Sequence, residues 1–239
     1  MIFDDILLNG SGKMNIDISS AQLDMVKQYS SLLLAWNEKI NLTAITSPEE
    51  IATKHFLDSF TPLTTGYIPS DASVIDVGTG AGFPGLPMKI ASSGIKLTLL
   101  DSLNKRINFL KTVIDELSLT DTECVHSRAE DAGHDKKFRE SFDVAVSRAV
   151  ANMSSLAELC LPFVKVGGVF MALKGPMADE ELSKASNAIQ TLGGRLEKVV
   201  SVQIPFSDLS HKIVVIKKDR HTPTQYPRKA PAPTKTPIN

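Results

Sequence analysis

Val74-Ile75-Asp76-Val77 runs directly into Gly78-Thr79-Gly80-Ala81-Gly82-Phe83-Pro84-Gly85. An apolar run that breaks into alternating glycines reads as a buried strand feeding a loop whose backbone can approach a ligand closely. Pro84 suits the start of a following helix. Asp101 closes a second apolar run, 23 residues after Gly78, where a carboxylate would accept from ribose hydroxyls. Two nucleotide-like ligands fit this pattern. NAD fits through Gly80-Ala81-Gly82-Phe83-Pro84-Gly85, which matches GxGxxG, but Pro84 sits where a helix N-terminus should offer amides to a pyrophosphate. Counted from Gly78, the third glycine of that fingerprint is replaced by Phe83. S-adenosylmethionine has no phosphate and needs only close backbone passage and an acid for the ribose. Asp101 serves either ligand, or neither if it simply caps the helix after Ser102.

Further residues gather at the ends of later apolar runs. Ala129-Glu130 follows the third, where backbone amides could meet an adenine and Glu130 could accept from its exocyclic amine; the alternative is a surface acid beside Asp131. Arg148 ends the fourth run and offers paired hydrogen bonds to a carboxylate or a phosphate, or a structural ion pair. Lys174 ends the fifth, and Arg128 precedes Ala129; each suits a phosphate or guanine contact, or a solvated strand end. His55 and Asp58 stand three apart on one expected helix, hence on one face. They suit an acid–base pair, or a pair stitching that helix to its neighbours. Trp36 reads as core rather than as a stacking platform, and Cys124 and Cys160 lack metal-ligand spacing.

The elements that must hold these residues follow from periodicity. Residues 1–70 read as helical. Ser19 or Ser20 caps a helix to about Lys39, with Leu23, Val26, Leu33 and Trp36 on one face. Ser47-Pro48-Glu49-Glu50 starts another, carrying Ile51, His55 and Phe56. From residue 73 short β-rich runs (73–77, 95–100, 123–126, 142–147, 169–173) alternate with helical stretches (about 85–92, 104–117, 152–163), which implies parallel strands with right-handed crossovers. Two last strands, about 196–203 and 211–217, are joined by a link with Pro205 that is too short for a crossover, so they pair antiparallel. The expected fold is α/β: a doubly wound, mostly parallel, Rossmann-like sheet of seven strands, as in many methyltransferases, with an N-terminal helical extension. The expected divisions are 1–70, the helical extension; 71–218, the sheet domain; and 219–239, a basic Pro-rich tail in extended conformation, either free or laid along the domain surface.

With 239 residues, 42% of them hydrophobic, the chain can bury a core without staples, which excludes disordered, collagen-like and disulfide-scaffold classes. Two isolated cysteines suggest reduced thiols. Met1-Ile2-Phe3-Asp4-Asp5 has no basic leader, and no apolar run approaches a membrane span, so the expected location is the cytoplasm, away from membranes. A net charge of −1 argues against nucleic acid as a partner. The charge is unevenly placed, however. Lys217, Lys218, Arg220, Arg228, Lys229 and Lys235 against Asp219 give the last 23 residues +5, and leave −6 on the rest. Arg220, Arg228 and Lys229 are then expected to make mobile, salt-sensitive phosphate contacts.

The octapeptide Gly78–Gly85 closely resembles the loop of the RsmG (GidB) family of methyltransferases. Further matches fall in order: Trp36-Asn37-Glu38-Lys39-Ile40-Asn41-Leu42-Thr43, His55-Phe56-Leu57-Asp58-Ser59, Asp101-Ser102-Leu103-Asn104-Lys105-Arg106, Arg128-Ala129-Glu130, Ser147-Arg148-Ala149-Val150-Ala151, Leu173-Lys174-Gly175 and Tyr226-Pro227-Arg228-Lys229. The resemblance spans nearly the whole chain. It implies the class I methyltransferase fold, S-adenosyl-L-methionine as cofactor and methylation of N7 of a guanine in 16S ribosomal RNA. It implies cofactor contacts from Gly78, Phe83, Ala129, Glu130 and Arg148, beside those expected of Gly80 and Asp101. The implied partner is 16S ribosomal RNA or the small ribosomal subunit, with no DNA and no metal. Guanine N7 carries a free lone pair and no proton. No general base and no catalytic side chain are then expected, and catalysis rests on positioning and exclusion of water. An arginine reading O6 and N7 would occupy the reacting atom, so the base should be held by its other edges and by stacking, with Phe83 or a nearby apolar residue bounding its pocket.

Overall fold

The computed structural model describes residues 2–148, 151–208 and 210–238. Helix α1 spans Phe3–Lys13, with Asp4 and Asp5 in its first turn, where they complement the helix dipole. Helix α2 spans Ser20–Asn37 and starts with a reciprocal capping box: Ser19 Oγ accepts from Gln22 N, and Gln22 Oε1 accepts from Ser19 N. The next rod is continuous but not uniform. Ser47 caps α3 (Pro48–Glu50), a π-helical stretch occupies Ile51–Leu57, and α4 (Asp58–Phe60) completes it. The π turn is wider than an α turn.

The sheet then builds strand by strand: β1 (Ser73–Val77), α5 (Gly85–Ala91), β2 (Lys96–Asp101), α6 (Asn104–Glu116), β3 (Thr122–His126), α7 (Ala129–Ala132), β4 (Phe142–Arg148), α8 (Met153–Cys160), β5 (Val164–Lys174), α9 (Ala178–Thr191), β6 (Gly194–Gln203) and β7 (Ser210–Lys218). A short helix, α10 (Ala232–Lys235), lies near the end. The strand order is β3-β2-β1-β4-β5-β7-β6. Strands β1 to β5 are parallel; β7 pairs antiparallel with both β5 and β6. Order reverses between β1 and β4, and that switch point is where a crevice opens at the carboxyl ends of the strands.

Alternating side chains of the strands feed two cores, one on each face. Val74, Leu97, Val144, Met171 and Val215 pack with Ile6, Val26, Tyr29, Phe56 and Phe109 from the helical extension and α6. Ile75, Leu100, Ala145, Phe170 and Val214 pack with Leu156, Phe163 and Ile189 on the opposite face. The seven strands and their hairpin match the expectation. Helix α9 has no counterpart in it, although its buried stripe of Ala178, Ala185, Ala188 and Ile189 against a polar opposite face is a clear amphipathic pattern. Strand β5 starts five residues earlier than expected, since Lys165-Val166-Gly167 is exposed.

The tail is neither free nor merely extended. Prolines remove backbone donors, and beside the tail's own turns, such as Tyr226 N to Pro223 O, donors of the domain serve its carbonyls. Arg139 donates to Thr222 O (2.8 Å) and Tyr226 O (2.8 Å), His134 Nε2 bonds Pro227 O (2.7 Å), and Ser155 Oγ donates to Pro233 O (2.7 Å). Lys218 is fully buried, with Nζ donating to Leu161 O at 2.6 Å. Among the described residues no helix is long and apolar enough to cross a membrane.

Candidate functional site

A cavity of about 560 Å³ opens at the switch point, within the size range of small-ligand sites. Its floor is the loop after β1. Gly78, Gly80 and Gly82 have φ of 71°, 62° and 95°, the left-handed region that glycine enters without cost. A buried carboxylate ties the two ends of that loop together: Asp76 Oδ2 accepts from Thr79 Oγ1 (2.7 Å) and from Gly85 N (2.9 Å). A Cβ at Gly85 would lie 2.9 Å from this oxygen, which accounts for the glycine. Burial pushes the Asp76 carboxyl up to about 6, against the opposing hydrogen bonds of Thr79 and Gly85.

Asp101 lies at the cavity wall, 4% exposed. Its Oδ2 accepts from Gly80 N (2.9 Å) and its Oδ1 from Leu103 N (2.8 Å), so it both anchors the loop and caps the entrance to α6. Arg106, also in the wall, is 3.4 Å from Oδ2. Across the cavity stand Arg128, Ala129 and Glu130 from the turn into α7, and Leu156 and Leu159 from α8.

Phe83 is the middle of an aromatic stack. Tyr29 lies parallel to it at 5.3 Å and His55 at 4.5 Å. The Tyr29 hydroxyl donates to Ala81 O, fixing α2 to the loop. His55 Nε2 bonds Thr43 Oγ1 at 2.8 Å, while its Nδ1 is buried without a partner among the described residues. Burial, with help from the Arg148 charge, lowers the His55 pKa to about 4, so the ring is neutral near pH 7.

Arg148, at the end of β4, has its guanidinium carbon 5.1 Å from the Phe83 centroid. Its Nη1 donates to Asp58 Oδ2 (2.9 Å) and to Lys54 O (3.2 Å). The other Asp58 oxygen meets His211 Nδ1 from β7 at 2.7 Å, and this hydrogen bond raises the His211 pKa. His55 and Asp58 converge on the same place through different partners: His55 stacks on Phe83 and bonds Thr43, and Asp58 holds Arg148, whose guanidinium also lies over Phe83. Of the two expected readings, Asp58 fits the stitching one, joining the helical extension to the sheet through Arg148 and His211.

The cavity brings together Gly78, Gly80, Phe83, Asp101, Arg128, Ala129, Glu130 and Arg148. It does not include the other basic residues singled out from the sequence. Lys174 is 8% exposed and bonded to Ala151 O (2.8 Å) and Glu181 (2.7 Å). Arg220 donates to Gln190 O (2.9 Å). Arg228 forks onto the buried Glu158, Nη2 to Oε2 at 2.6 Å and Nε to Oε1 at 2.9 Å. Lys229 is exposed. Arg228 and several tail carbonyls are engaged by the domain, so these contacts are not mobile, while Arg220 and Lys229 lie at the surface. Ala149 and Val150 lie outside the described residues. Tyr29, Asp76 and His211 were missed, because their roles depend on contacts 52, 9 and 153 residues away in sequence.

Comparison with known proteins agrees with this geometry. The family model GidB, described as rRNA small subunit methyltransferase G, matches residues 22–211. A "Ribosomal RNA small subunit methyltransferase G" of Alkaliphilus oremlandii is 53% identical over 234 residues, 98% of each chain. One of Clostridium botulinum (strain Eklund 17B) is 49% identical over 238 residues, all of each chain. Among solved structures, M. jannaschii TYW2 in complex with AdoMet has a TM-score of 0.50 at 12% identity, covering 83% of this chain and 75% of that one. A Haloferax volcanii methyltransferase in complex with its activator Trm112 has a TM-score of 0.56 at 13% identity, covering 84% and 98%. These two likenesses speak for the fold.

Proposed function

The chain belongs to the GidB family, rRNA small subunit methyltransferase G, and from that premise we propose how its cavity serves the reaction. It is an S-adenosylmethionine-dependent methyltransferase with the class I fold. The proposed reaction places the methyl group on N7 of a guanine in 16S ribosomal RNA, in the cytoplasm, with the naked RNA or the small subunit as partner. DNA is not a substrate in this reading.

The observation that carries it is the convergence in one cavity of an acid at the end of β2, an acid at the start of α7 and an arginine at the end of β4 around a glycine floor. The residues fit the cofactor. Gly80 has open space where a Cβ would stand, and Asp101 and Arg148 supply opposite charges at separate parts of the wall. Asp101 would accept from the ribose hydroxyls, Glu130 and the Ala129 backbone would bind the adenine, and Gly78 and Gly80 would pass beneath the amino-acid part. Arg148 has donors beyond the one given to Asp58, and these would face the carboxylate. The bound cofactor supplies an activated methyl on a sulfonium.

What remains for the protein is orientation and dryness. The neutral His55 adds no positive charge to the pocket, and no proton has to leave N7. The Phe83 edge and His55 would bound the base. Arg128, in the wall, would meet RNA phosphates, and so would the Arg106 donors not turned to Asp101; Lys174, Arg220 and Arg228 have protein partners.

Labelled S-adenosylmethionine and 16S RNA from a strain lacking the enzyme test the reading. One N7-methylated guanine is the expected product. Methylation at another atom of the base, or of a small molecule only, refutes it.

A further inference from the structure

We propose that the C-terminal tail is a positioning strap for the cofactor cavity, acting through Arg228 and Glu158, and is not an RNA-binding arm. The proposal rests on the cavity reading given above. The far wall of that cavity is made by two short elements: Ala129 and Glu130 at the start of α7, and Leu156 and Leu159 on α8. Helix α8 packs against α9 and the sheet, and the tail lies against both α7 and α8.

It is clamped first where Lys218 Nζ donates to Thr222 Oγ1 (2.5 Å), which in turn donates to Leu192 O (2.8 Å). It then crosses α7. Pro227 sits so close to Gly133, one residue past α7, that a Cβ there would meet Pro227 Cγ at 2.8 Å. His134 bonds Pro227 O, and Arg139 bridges Gly133 O and Tyr226 O, both at 2.8 Å. One residue later the chain reaches α8. Arg228 donates from its backbone N (2.8 Å), Nε and Nη2 to Glu158, a carboxylate with no exposed surface. Ser155 adds its bond to Pro233 O.

Glu158 and Ser155 therefore lie on the helix that carries Leu156 and Leu159 into the cavity. A fork held by three hydrogen bonds fixes rotation of that helix as well as its distance, which a lysine's single point of attachment would not do. Through Pro227 and Arg228, consecutive residues, the strap ties α7 to α8. It thereby fixes how the residues of that one wall, Ala129 and Glu130 beside Leu156 and Leu159, sit relative to each other. The tail's positive charge is thus only partly available to RNA.

The test uses the full-length chain, with S-adenosylmethionine affinity by calorimetry, thermal melting, and Michaelis constants for RNA. Arg228→Gln should raise the cofactor Kd roughly tenfold, the scale at which small misplacements of a site register. The RNA KM, and kcat at saturating cofactor, should stay within about twofold. Arg228→Lys should fall between. Ser155→Ala, a smaller lesion that keeps the assay readable should Arg228→Gln not fold, should move the Kd the same way by less. Lys229→Ala, on the exposed neighbour, should move neither constant. A rise in RNA KM with unchanged cofactor Kd overturns the proposal, as does a cofactor Kd unmoved by both Arg228→Gln and Ser155→Ala while Arg148→Ala raises it. Should Arg148→Ala itself leave cofactor binding intact, the cavity reading falls, and the strap's role with it.

Discussion

At the scale of the residue, Arg148 is the hinge of the site, because Asp58 and His211 fix where it points. Asp58 is buried, so removing Arg148 leaves its carboxylate to His211 alone. Arg148→Ala should cost about 1–3 kcal/mol in chemical denaturation as well as weaken cofactor binding. Arg148→Met combined with Asp58→Asn should recover most of the stability and none of the binding, which separates the two roles. The histidines give opposite pH limbs. Asp58 raises the His211 pKa, so its protonated form contributes stability that is full below about 6.5 and is lost as pH rises through the shifted value. His55 is held neutral down to about 4, so between about 6.5 and 4 the unfolded chain binds a proton the folded one refuses, and stability falls as pH falls. His211→Asn should flatten the upper limb of a stability–pH curve and His55→Gln the lower one. Arg148 was legible as an important residue because an arginine at a strand end needs an anion. Its partners were not, since nothing local in the sequence couples Asp58 to a histidine on the last strand.

At the scale of the element, the glycine loop carries its own checks. Gly82 has φ of 95°, and a Cβ there would lie 2.5 Å from both Leu86 Cδ1 and the Tyr29 hydroxyl. Gly82→Ala should therefore combine backbone strain of about 1–3 kcal/mol with displacement of Tyr29 from Phe83. A lower melting temperature and a raised cofactor Kd are expected together; an unchanged melt would contradict the packing. This loop, and the strands around it, could be read directly, because a run of apolar residues followed by glycines has few other uses. The π turn could not. Ile51–Leu57 carries no local signal for the widening, and the stretch packs tightly on α1, where a Cβ at Gly10 would stand 2.4 Å from Leu57 Cδ1. Periodicity reports a helix and not its pitch.

At the scale of the whole molecule, the charge asymmetry of the sequence is real, but its meaning is altered by packing. A tail of +5 suggested a loose arm; the folded tail spends Lys218 on Leu161, Thr222 and Glu140, and Arg228 on Glu158. Ending the chain after Lys218 would leave Glu158 buried and unpaired. We expect that variant to melt roughly 10 °C lower or more, given about 3–5 kcal/mol for the lost pair in a chain of this size. A melt within about 2 °C of the full chain would mean that the contacts contribute little. Composition shows how much charge a segment holds and not what it is bonded to. The strand order has a consequence for how the chain is made. Strand β6 joins the sheet only through β7, which is synthesised after it. Until residues 210–218 have left the ribosome, β5 presents a full edge of unpaired backbone with apolar side chains on both faces, and β6 has nowhere to dock. The nascent protein thus passes through a defined interval in which its half-built sheet is open to pairing with other chains, and that interval closes only once β7 has emerged.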